Sequence, residues 1–276
     1  MKNKLIRIGT TSYILPDDIL PNIRYLAPLV DDVELVLFES EGMSNLPSKQ
    51  TVQALQDIGR EHALTYTIHF PLDIHPGVAN TQARRHFVDV IDRIIDLSEP
   101  LSPFGYVLHL TPEQYGGQPA ENVPRWLDSL DRSLDALFNR ISVPSSLVCV
   151  ESLSYPFALV QPLVARYNLS VTLDIGHIWL MGYDADAEAC ALLPQARICH
   201  LHGVAEGHDH LGLSEGNAEH IERFLAALEH QTACDRKQRV LTLEVFSPQA
   251  FESSTSFLGN RYGKMNKAQG GFDGKR

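Results

Sequence analysis

An aspartate and a histidine stand three residues apart in the segment Leu173-Asp174-Ile175-Gly176-His177, which ends an apolar run starting at Leu169. Both side chains are ligand types for divalent metal ions, and residues at the end of a buried strand can face one cleft. Other apolar runs also end in a histidine or a glutamate, namely at His69, His109, Glu151, His200 and Glu244. This repeated ending predicts a metal site assembled from distant segments.

More such residues follow the apolar runs than one ion can use. Glu39 follows the second run, His202 shares a strand face with His200, and the next loop contains His208-Asp209-His210. Zinc, manganese and cobalt accept imidazole and carboxylate ligands together. We therefore expect two to three divalent ions of these kinds.

Each candidate alone also has a purely structural explanation. A single strand-end histidine is more often a hydrogen-bonded structural residue than a ligand, Asp174 could cap a helix, and Glu39 could cap its own loop. The positions of the histidines along the chain argue against purely structural roles, because seven of the 12 fall at or after predicted strands, on the face where these strands are expected to end. The other five are interpreted as surface residues: His62, His75, His86, His220 and His230.

Short β-rich runs alternate with longer amphipathic stretches, which is typical of repeated strand–helix units around a parallel sheet. Eight runs are predicted as strands: Leu5–Thr10, Val33–Phe38, Leu64–His69, Tyr106–Leu110, Leu147–Glu151, Ser170–Asp174, Arg197–His202 and Val240–Glu244. The first ends within the segment Gly9-Thr10-Thr11-Ser12, which is not a dinucleotide fingerprint. The pattern therefore predicts an α/β fold of the closed (β/α)8, or TIM, barrel type, with chemistry at the strand ends.

Amphipathic spacing and capping residues predict the helices between these strands. Ser48 and Thr81 are the expected N-caps of the first two helices. The predicted helices are Gln50–His62, Gln82–Leu97, Val123–Asn139, Tyr155–Arg166, Asp184–Leu193, Ala218–His230 and Gln249–Leu258.

Length and composition suit one barrel domain. Of 276 residues 44% are hydrophobic, and we expect residues 1–258 to form the domain and residues 259–276, poor in apolar side chains, a flexible tail. Four scattered cysteines, no signal peptide and no apolar run near the roughly 20 residues of a membrane span predict a cytoplasmic protein without a membrane partner. A formal charge of −11 offers no broad field for polyanions, so no nucleic-acid partner is expected.

The strand-end residues resemble, in order and spacing from about Leu5 to Phe246, the metal-dependent apurinic/apyrimidinic endonuclease family of the xylose-isomerase-like barrels. The resemblance lies in His69, His109, Glu151, Asp174-x-x-His177, His200-Leu201, His208-x-His210, Leu213-Ser214-Glu215-Gly216-Asn217 and Glu244. Four runs look most like the cobamide-remodelling phosphodiesterases of bacteria: Gly9–Tyr13, Val33–Glu39, Leu173–His177 and His200–Val204.

The endonuclease pattern implies three ions. His69, His109 and Glu151 would hold the first, and Glu151, Asp174, His200 and Glu244 the second. His177 and His210 would hold the third, with His208 where the endonucleases have an aspartate and His202 where they have an asparagine. Glu151 would bridge two ions, since a carboxylate can offer one oxygen to each, and the expected catalytic residues are Glu151, Glu244, Asp174 and His177.

The resemblance to the cobamide enzymes implies a metal-dependent phosphodiesterase. It would hydrolyse the nucleotide-loop phosphodiester of a cobamide coenzyme to cobinamide phosphate and the lower-ligand riboside, in cobamide remodelling. This small-molecule substrate would contact Glu39, His202 and aromatic residues that follow strands: Tyr13, Phe70, Tyr115, Tyr155, Trp179 and Tyr183.

Three alternatives stay open. A sugar isomerase or epimerase of the same superfamily would use Glu151, Asp174, His200 and Glu244 around one ion, with the glutamates as acid and base. An apurinic/apyrimidinic endonuclease would need basic loop residues, whereas the Arg84-Arg85 pair is interpreted as helix surface. A metal-free binding barrel would leave a cleft of unpaired carboxylates and imidazoles.

Overall fold

The chain folds around eight short strands that are mostly buried on both faces, because one face meets the surrounding helices and the other fills the barrel. The computed structural model describes residues 4–40, 42–111, 122–259 and 261–262. The eight strands are β1 (Ile6–Thr11), β2 (Asp32–Val36), β5 (Thr65–His69), β6 (Tyr106–Leu108), β7 (Val148–Glu151), β8 (Ser170–Asp174), β9 (Ala196–Leu201) and β12 (Arg239–Leu243).

These strands form a closed parallel barrel in the order β1-β12-β9-β8-β7-β6-β5-β2, and β2 pairs again with β1. The predicted (β/α)8 barrel is therefore confirmed. The register places Asp174 beside His200 and His200 beside Thr242, so residues distant in sequence reach the same height in the barrel. All carboxyl ends of the parallel strands open on one face, where the predicted site residues lie.

Two small antiparallel hairpins extend this face. One follows β2 and consists of β3 (Glu39–Ser40) and β4 (Met43–Ser44). The other follows β9 and consists of β10 (Gly203–Ala205) and β11 (His208–Leu211). Glu206 and Gly207, both with positive φ, form its turn, as expected for a tight hairpin.

Nine helices of the described chain surround the barrel: α1 (Ile19–Leu26), α2 (Lys49–His62), α3 (Thr81–Ser98), α4 (Val123–Phe138), α5 (Gln161–Arg166), α6 (Ile175–Leu180), α7 (Ala185–Leu192), α8 (Ala218–Asp235) and α9 (Pro248–Leu258). The apolar stripes of α3 and α4 are buried, for example at Ile91, Ile94, Leu130 and Leu134. This packing holds the strands and therefore the strand ends in place.

The helix predictions need five corrections. Helix α1 was not predicted, because it is short and contains Pro21. Helix α6 was not predicted either, although Asp174 was considered as a possible helix cap. The N-cap of α3 is Asn80 rather than Thr81; Asn80 accepts hydrogen bonds from the backbone of Gln82 and Ala83. The predicted helix Tyr155–Arg166 divides into the 3-10 helix Phe157–Leu159 and α5, and a proline lies at the start of each part. Helix α8 runs five residues beyond its predicted end at His230.

Helix α9 ends at Leu258, where the expected domain ends. Beyond it, Arg261 forms ion pairs with Glu222 and Glu229 of α8, and the Tyr262 hydroxyl donates to Glu229. The first described residues of the expected tail therefore pack on the barrel. Residues 263–276 lie outside the described part of the chain. None of the described helices has the length and apolar character that crossing a membrane requires.

Candidate metal centre

The carboxyl ends of the strands bring imidazoles and carboxylates into contact. Three groups have ligand atoms that all lie within 4.8 Å of one another: His69, His109 and Glu151; Glu151, Asp174, His200 and Glu244; and His177, His202 and His210. The first two match the groups that the endonuclease pattern implies. A further group of the same kind consists of Glu34, His69 and Glu244.

Glu151 belongs to both of the first two groups. Its side chain is 1% exposed, and its Oε2 lies 2.8 Å from His109 Nε2 and 3.5 Å from His69 Nε2. The other oxygen, Oε1, lies 3.5 Å from His177 Nδ1 and 3.6 Å from His200 Nδ1. One carboxylate thus faces a different set of imidazoles with each oxygen, which is the arrangement of a bridging ligand.

Backbone carbonyls orient two of these imidazoles. His69 Nδ1 lies 2.8 Å from the carbonyl oxygen of Phe70, and His177 Nδ1 lies 3.1 Å from that of Ser152. A carbonyl only accepts hydrogen bonds, so the neutral rings carry their proton on Nδ1. Nε2 of each ring then has a free lone pair for an ion.

The group around His200 fits a cation best. His200 Nδ1 lies 3.1 Å from Glu244 Oε2, 3.6 Å from Glu151 Oε1 and 3.9 Å from Asp174 Oδ2. All four of these atoms are buried and lack a hydrogen-bond partner. Three carboxylates converging on one imidazole in the protein interior are costly unless a positive charge joins them. The donor set therefore fits a divalent ion of the zinc, manganese or cobalt kind.

The charges of the centre are strongly coupled. Burial would lower the pKa of His69, but contact with Glu151 and the charges of Glu34 and Glu244 raise it to about 9. Burial would also lower the pKa of His210, but contact with Glu244 outweighs burial and raises this pKa to about 9. Burial would raise the pKa of Glu151, yet the neighbouring His109 and His200 hold it well below its usual range. Protons therefore occupy imidazoles that a metal ion would need, and the two compete.

Asp174 has a structural and a site role at once. Its Oδ1 accepts a hydrogen bond of 2.8 Å from the backbone N–H of His177 and so caps α6. Its Oδ2 faces His177 Nδ1 at 3.2 Å and has no hydrogen-bond partner. Asp174 can therefore cap α6 and also face the metal centre, which are the two roles that the sequence suggests for it.

The third group differs from the expected one, because His202 joins His177 and His210 while His208 is exposed. His208 belongs to none of the groups formed by the described residues, so this geometry gives no support to its expected role as a ligand, which stays a prediction. The cause is a left-handed residue: His210 has φ +55°, so His208 and His210 do not share a face as alternate strand residues normally do. Sequence periodicity alone could not reveal this irregularity.

His202 occupies a tightly enclosed position. A Cβ added to Gly176 would lie 2.1 Å from the His202 ring, so the glycine of the Asp174–His177 segment makes room for this imidazole. The backbone N–H of His210 donates to His202 Nδ1 at 3.0 Å, and His202 Nε2 lies 3.3 Å from Asp174 Oδ1. His202 Nδ1 also lies 3.3 Å from the carbonyl oxygen of Gly203, and Nε2 is buried without a hydrogen-bond partner. This free nitrogen lets His202 belong to the third group.

The expected substrate-contact residues are mostly packed elsewhere. Glu39, on the β3–β4 hairpin, forms an ion pair with Arg93 of α3. Trp179 points away from the metal centre and packs against Phe224 of α8, because residues two apart on α6 lie on opposite faces and His177 takes the inner one. Tyr13 is half-buried, and its hydroxyl accepts a hydrogen bond from Asn45.

The other aromatic residues expected at the mouth are structural where they are described. Phe70 stacks on Tyr106 with 5.4 Å between ring centroids, and the buried Tyr155 donates its hydroxyl proton to the carbonyl of Leu110. The Tyr183 hydroxyl donates to the carbonyl of Ser154. Tyr115 lies outside the described residues. Phe70, Tyr155 and Tyr183 thus make contacts within the protein, and their expected contact with a substrate stays a prediction.

Two residues of the centre were missed from sequence. Glu34, inside β2, is fully buried with its Oε2 3.0 Å from His200 Nε2. A glutamate within the apolar run Val33–Phe38 was the available signal, since a buried charge needs a partner. Phe246, just beyond Glu244, is 44% exposed, and its ring lies 5.2 Å from that of His210. An apolar residue after a strand end carries no comparable sequence signal.

The five remaining histidines take no part in the groups formed by the described residues. His86 and His230 are exposed, whereas His62, His75 and His220 are half-buried. His75 contacts the Thr111 hydroxyl at 3.0 Å, so it is less exposed than expected.

Residues 30–261 match the family model described as xylose isomerase-like TIM barrel. The chain belongs to this family. Among curated proteins, no sequence match was found.

Solved structures of similar fold include several enzymes. A D-tagatose 3-epimerase-like protein is 19% identical, with 91% of this chain and 95% of that chain covered and a TM-score of 0.72. The 3-keto-D-glucoside 4-epimerase of E. coli is 16% identical, with 92% and 98% covered and a TM-score of 0.68. Endonuclease IV from Thermus thermophilus is 18% identical, with 91% and 98% covered and a TM-score of 0.67. At these identities the similarity establishes the barrel fold, which sugar epimerases and an endonuclease share.

Proposed function

We propose that this protein is a metal-dependent phosphodiesterase acting on a small-molecule cobamide, which it cleaves at the nucleotide-loop phosphodiester. The observation that carries the hydrolase part is the number of imidazoles around the group Glu151, Asp174, His200 and Glu244. One-ion sugar chemistry needs only those four residues. His69 and His109 on one side of Glu151, and His177 and His210 on the other, extend the site for further ions.

Two to three divalent ions held here would supply Lewis acidity to the phosphoryl oxygens and lower the pKa of a water to near 7. The chain's own residues set the geometry. Glu151 presents one oxygen to His69 and His109 and the other to His200, and Asp174 and Glu244 add fixed negative charge from the buried side. This combination suits phosphodiester hydrolysis, in which catalysis depends mainly on positioning and charge stabilisation.

His177 and His210 lie on the solvent side of the centre. Their side chains are 18% and 27% exposed, whereas those of Glu151, Asp174 and His200 are at most 1% exposed. An anionic phosphodiester entering from solvent would therefore meet this side of the centre first. We assign His177 and His210 to holding the outermost ion there.

The cobamide assignment is supported by the four similar sequence runs and by apolar side chains at the rim. Phe246 follows β12, and Met43, which is 62% exposed, lies on the hairpin that follows β2. Both strands pair with β1, so the two residues belong to the same sector of the rim. Among the described residues, these are the large apolar side chains that stay exposed. Such side chains suit contact with the broad, partly apolar body of a corrin ring.

A sugar epimerase is the second candidate. It is favoured by the completeness of the four-residue group, in which Glu244 and Glu151 both approach His200 Nδ1, at 3.1 and 3.6 Å. Two glutamates around one ion are the arrangement that carbon-bound proton transfer would use.

A product assay separates these functions. Protein loaded with Zn²⁺, Mn²⁺ or Co²⁺ is incubated with adenosylcobalamin, an abasic-site duplex or a panel of ketoses, and products are identified by mass spectrometry. Chelator-treated protein is the matched control. The proposal expects cobinamide phosphate from adenosylcobalamin with the metal-loaded protein alone. Solvent hydrogen exchange into a ketose, without phosphodiester cleavage, would favour the epimerase instead, and cleavage of the duplex alone would favour an endonuclease.

A further inference from the structure

Glu34 and His200 form a buried pair from strands that are not neighbours in the barrel. Glu34 lies inside β2 and His200 inside β9, and β1 and β12 separate the two strands. Glu34 Oε2 is 3.0 Å from His200 Nε2, and both side chains are fully buried. The contact therefore crosses the interior of the barrel.

The pair determines which nitrogen of His200 faces the centre. An ionised carboxylate only accepts hydrogen bonds, so the imidazole must carry its proton on Nε2 to bond with Glu34. In the neutral ring, which metal binding requires, Nδ1 then keeps its lone pair. This atom lies 3.1 Å from Glu244 Oε2 and faces Glu151 and Asp174.

We propose that Glu34 is a positioning residue that fixes the tautomer and ring orientation of His200, so that Nδ1 serves as the ligand in the group with Glu151, Asp174 and Glu244. Hydrogen bonds from a ligating imidazole to an outer carboxylate are a general way to hold a metal ligand and strengthen its donor nitrogen. The inference rests on the metal-binding part of the proposed function and does not depend on the substrate.

Glu34 has a competing role as a ligand itself, because its carboxylate also forms a group with His69 and Glu244. The two roles predict different effects of replacing Glu34. If Glu34 positions His200, its replacement should weaken ion binding and change the tautomer of His200. If Glu34 is a direct ligand, its replacement should remove an ion and leave the His200 tautomer unchanged.

The test uses the full chain titrated with Zn²⁺ or Co²⁺ alone against a competing chelator. Glu34→Leu removes the acceptor, and Glu34→Gln keeps an acceptor but removes the charge. Asp32→Asn is the matched control, because Asp32 lies two residues away on the same strand, is equally buried, and bonds to Thr65 instead of His200. Circular dichroism checks the fold of each variant, and ¹⁵N spectra of labelled histidine report the protonated nitrogen of His200.

We expect Glu34→Leu to weaken binding of the ion about 10- to 100-fold, the usual effect of losing such an outer partner. Its spectra should lose the Nε2–H signal of His200, and the Co²⁺ absorption bands should shift. Glu34→Gln should weaken binding less and keep the Nε2–H signal, while Asp32→Asn should match the wild type.

Wild-type affinity in Glu34→Leu would overturn the inference, as would loss of one whole metal equivalent with unchanged His200 signals. If Glu34→Leu does not fold, unchanged affinity in Glu34→Gln would overturn it. Reduced affinity in a protein that cleaves no phosphodiester would leave this inference standing while the proposed function fails.

Discussion

Glu151 ends β7 and His109 follows the neighbouring β6, and Glu151 Oε2 lies 2.8 Å from His109 Nε2 while Oε1 has no hydrogen-bond partner. The same carboxylate therefore contacts one imidazole and directs its second oxygen toward His177 and His200. Two groups of possible ligand atoms meet at this one side chain, so the proposed metal centre depends on Glu151 more than on any other single residue of these two groups.

Replacing Glu151 with glutamine should reduce turnover at least about 100-fold, because the amide cannot bridge two cations. Metal content should fall below that of the wild type, and the circular dichroism spectrum should stay unchanged because Gln has the same shape. Glu61→Gln, on the exposed face of α2, serves as the control. Full activity in Glu151→Gln would rule out a bridging role.

His208 and His210 should respond differently to replacement by alanine. His208 is exposed and outside the ligand groups, so His208→Ala should keep the wild-type metal content and activity. His210 Nε2 lies 3.5 Å from Glu244 Oε2, so His210→Ala should weaken binding of the outermost ion about 10-fold or more. Elemental analysis after dialysis measures both variants. A larger loss in His208→Ala than in His210→Ala would contradict the observed geometry.

The stability of the metal-free protein should depend on pH through the imidazoles of the centre. The pKa values of His69 and His210 are raised from 6.5 to about 9 in the folded protein. Their contribution is therefore fully present below pH 6.5 and is lost as the pH rises through about 9. We expect the Tm of the chelator-treated protein to fall between these pH values.

The increase in Tm that Zn²⁺ causes should change with pH in the opposite direction to the Tm of the metal-free protein. Ligating imidazoles must lose their protons, so this increase should grow over the same pH range. Thermal unfolding followed by circular dichroism, with and without Zn²⁺, measures both effects. A metal-induced increase that shrinks toward pH 9 would be inconsistent with imidazole ligands of raised pKa.

Phe246 should contribute to substrate binding and not to metal binding. Its ring is exposed at the mouth, so Phe246→Ser should raise KM for the cobamide about 10-fold, as expected from losing an apolar contact of roughly 1–3 kcal/mol. Zinc content and kcat should stay close to those of the wild type. Met43→Ser tests the other exposed apolar residue of this sector. An unchanged KM in both variants would remove this part of the rim from the substrate site.

The barrel was predictable because its signals are periodic and repeated. Eight apolar runs in alternation with amphipathic stretches are compatible with few other folds. Because all strands of the barrel end on one face, the placement of strand-end residues such as His69 and Glu151 on that face follows directly. The closed parallel order then brings Asp174 beside His200 without further information.

Local irregularities and packing were not predictable in the same way. The left-handed backbone at His210 reverses the expected facing of His208, and a helical turn directs Trp179 away from the centre. Glu34 sits inside a strand rather than at its end, so a search of strand ends misses it, although its contact with His200 crosses the barrel. These features depend on tertiary geometry, which a single sequence does not encode in its periodicity.

Anomalous diffraction from crystals of the zinc-loaded protein tests the metal centre most directly. Two strong peaks roughly 3.5–4 Å apart, with the Glu151 carboxylate between them, are expected for ions that share this ligand. A weaker third peak should lie near His177 and His210. A single peak among Glu151, Asp174, His200 and Glu244, with His69 and His109 free of metal, would contradict the account and leave a one-ion site.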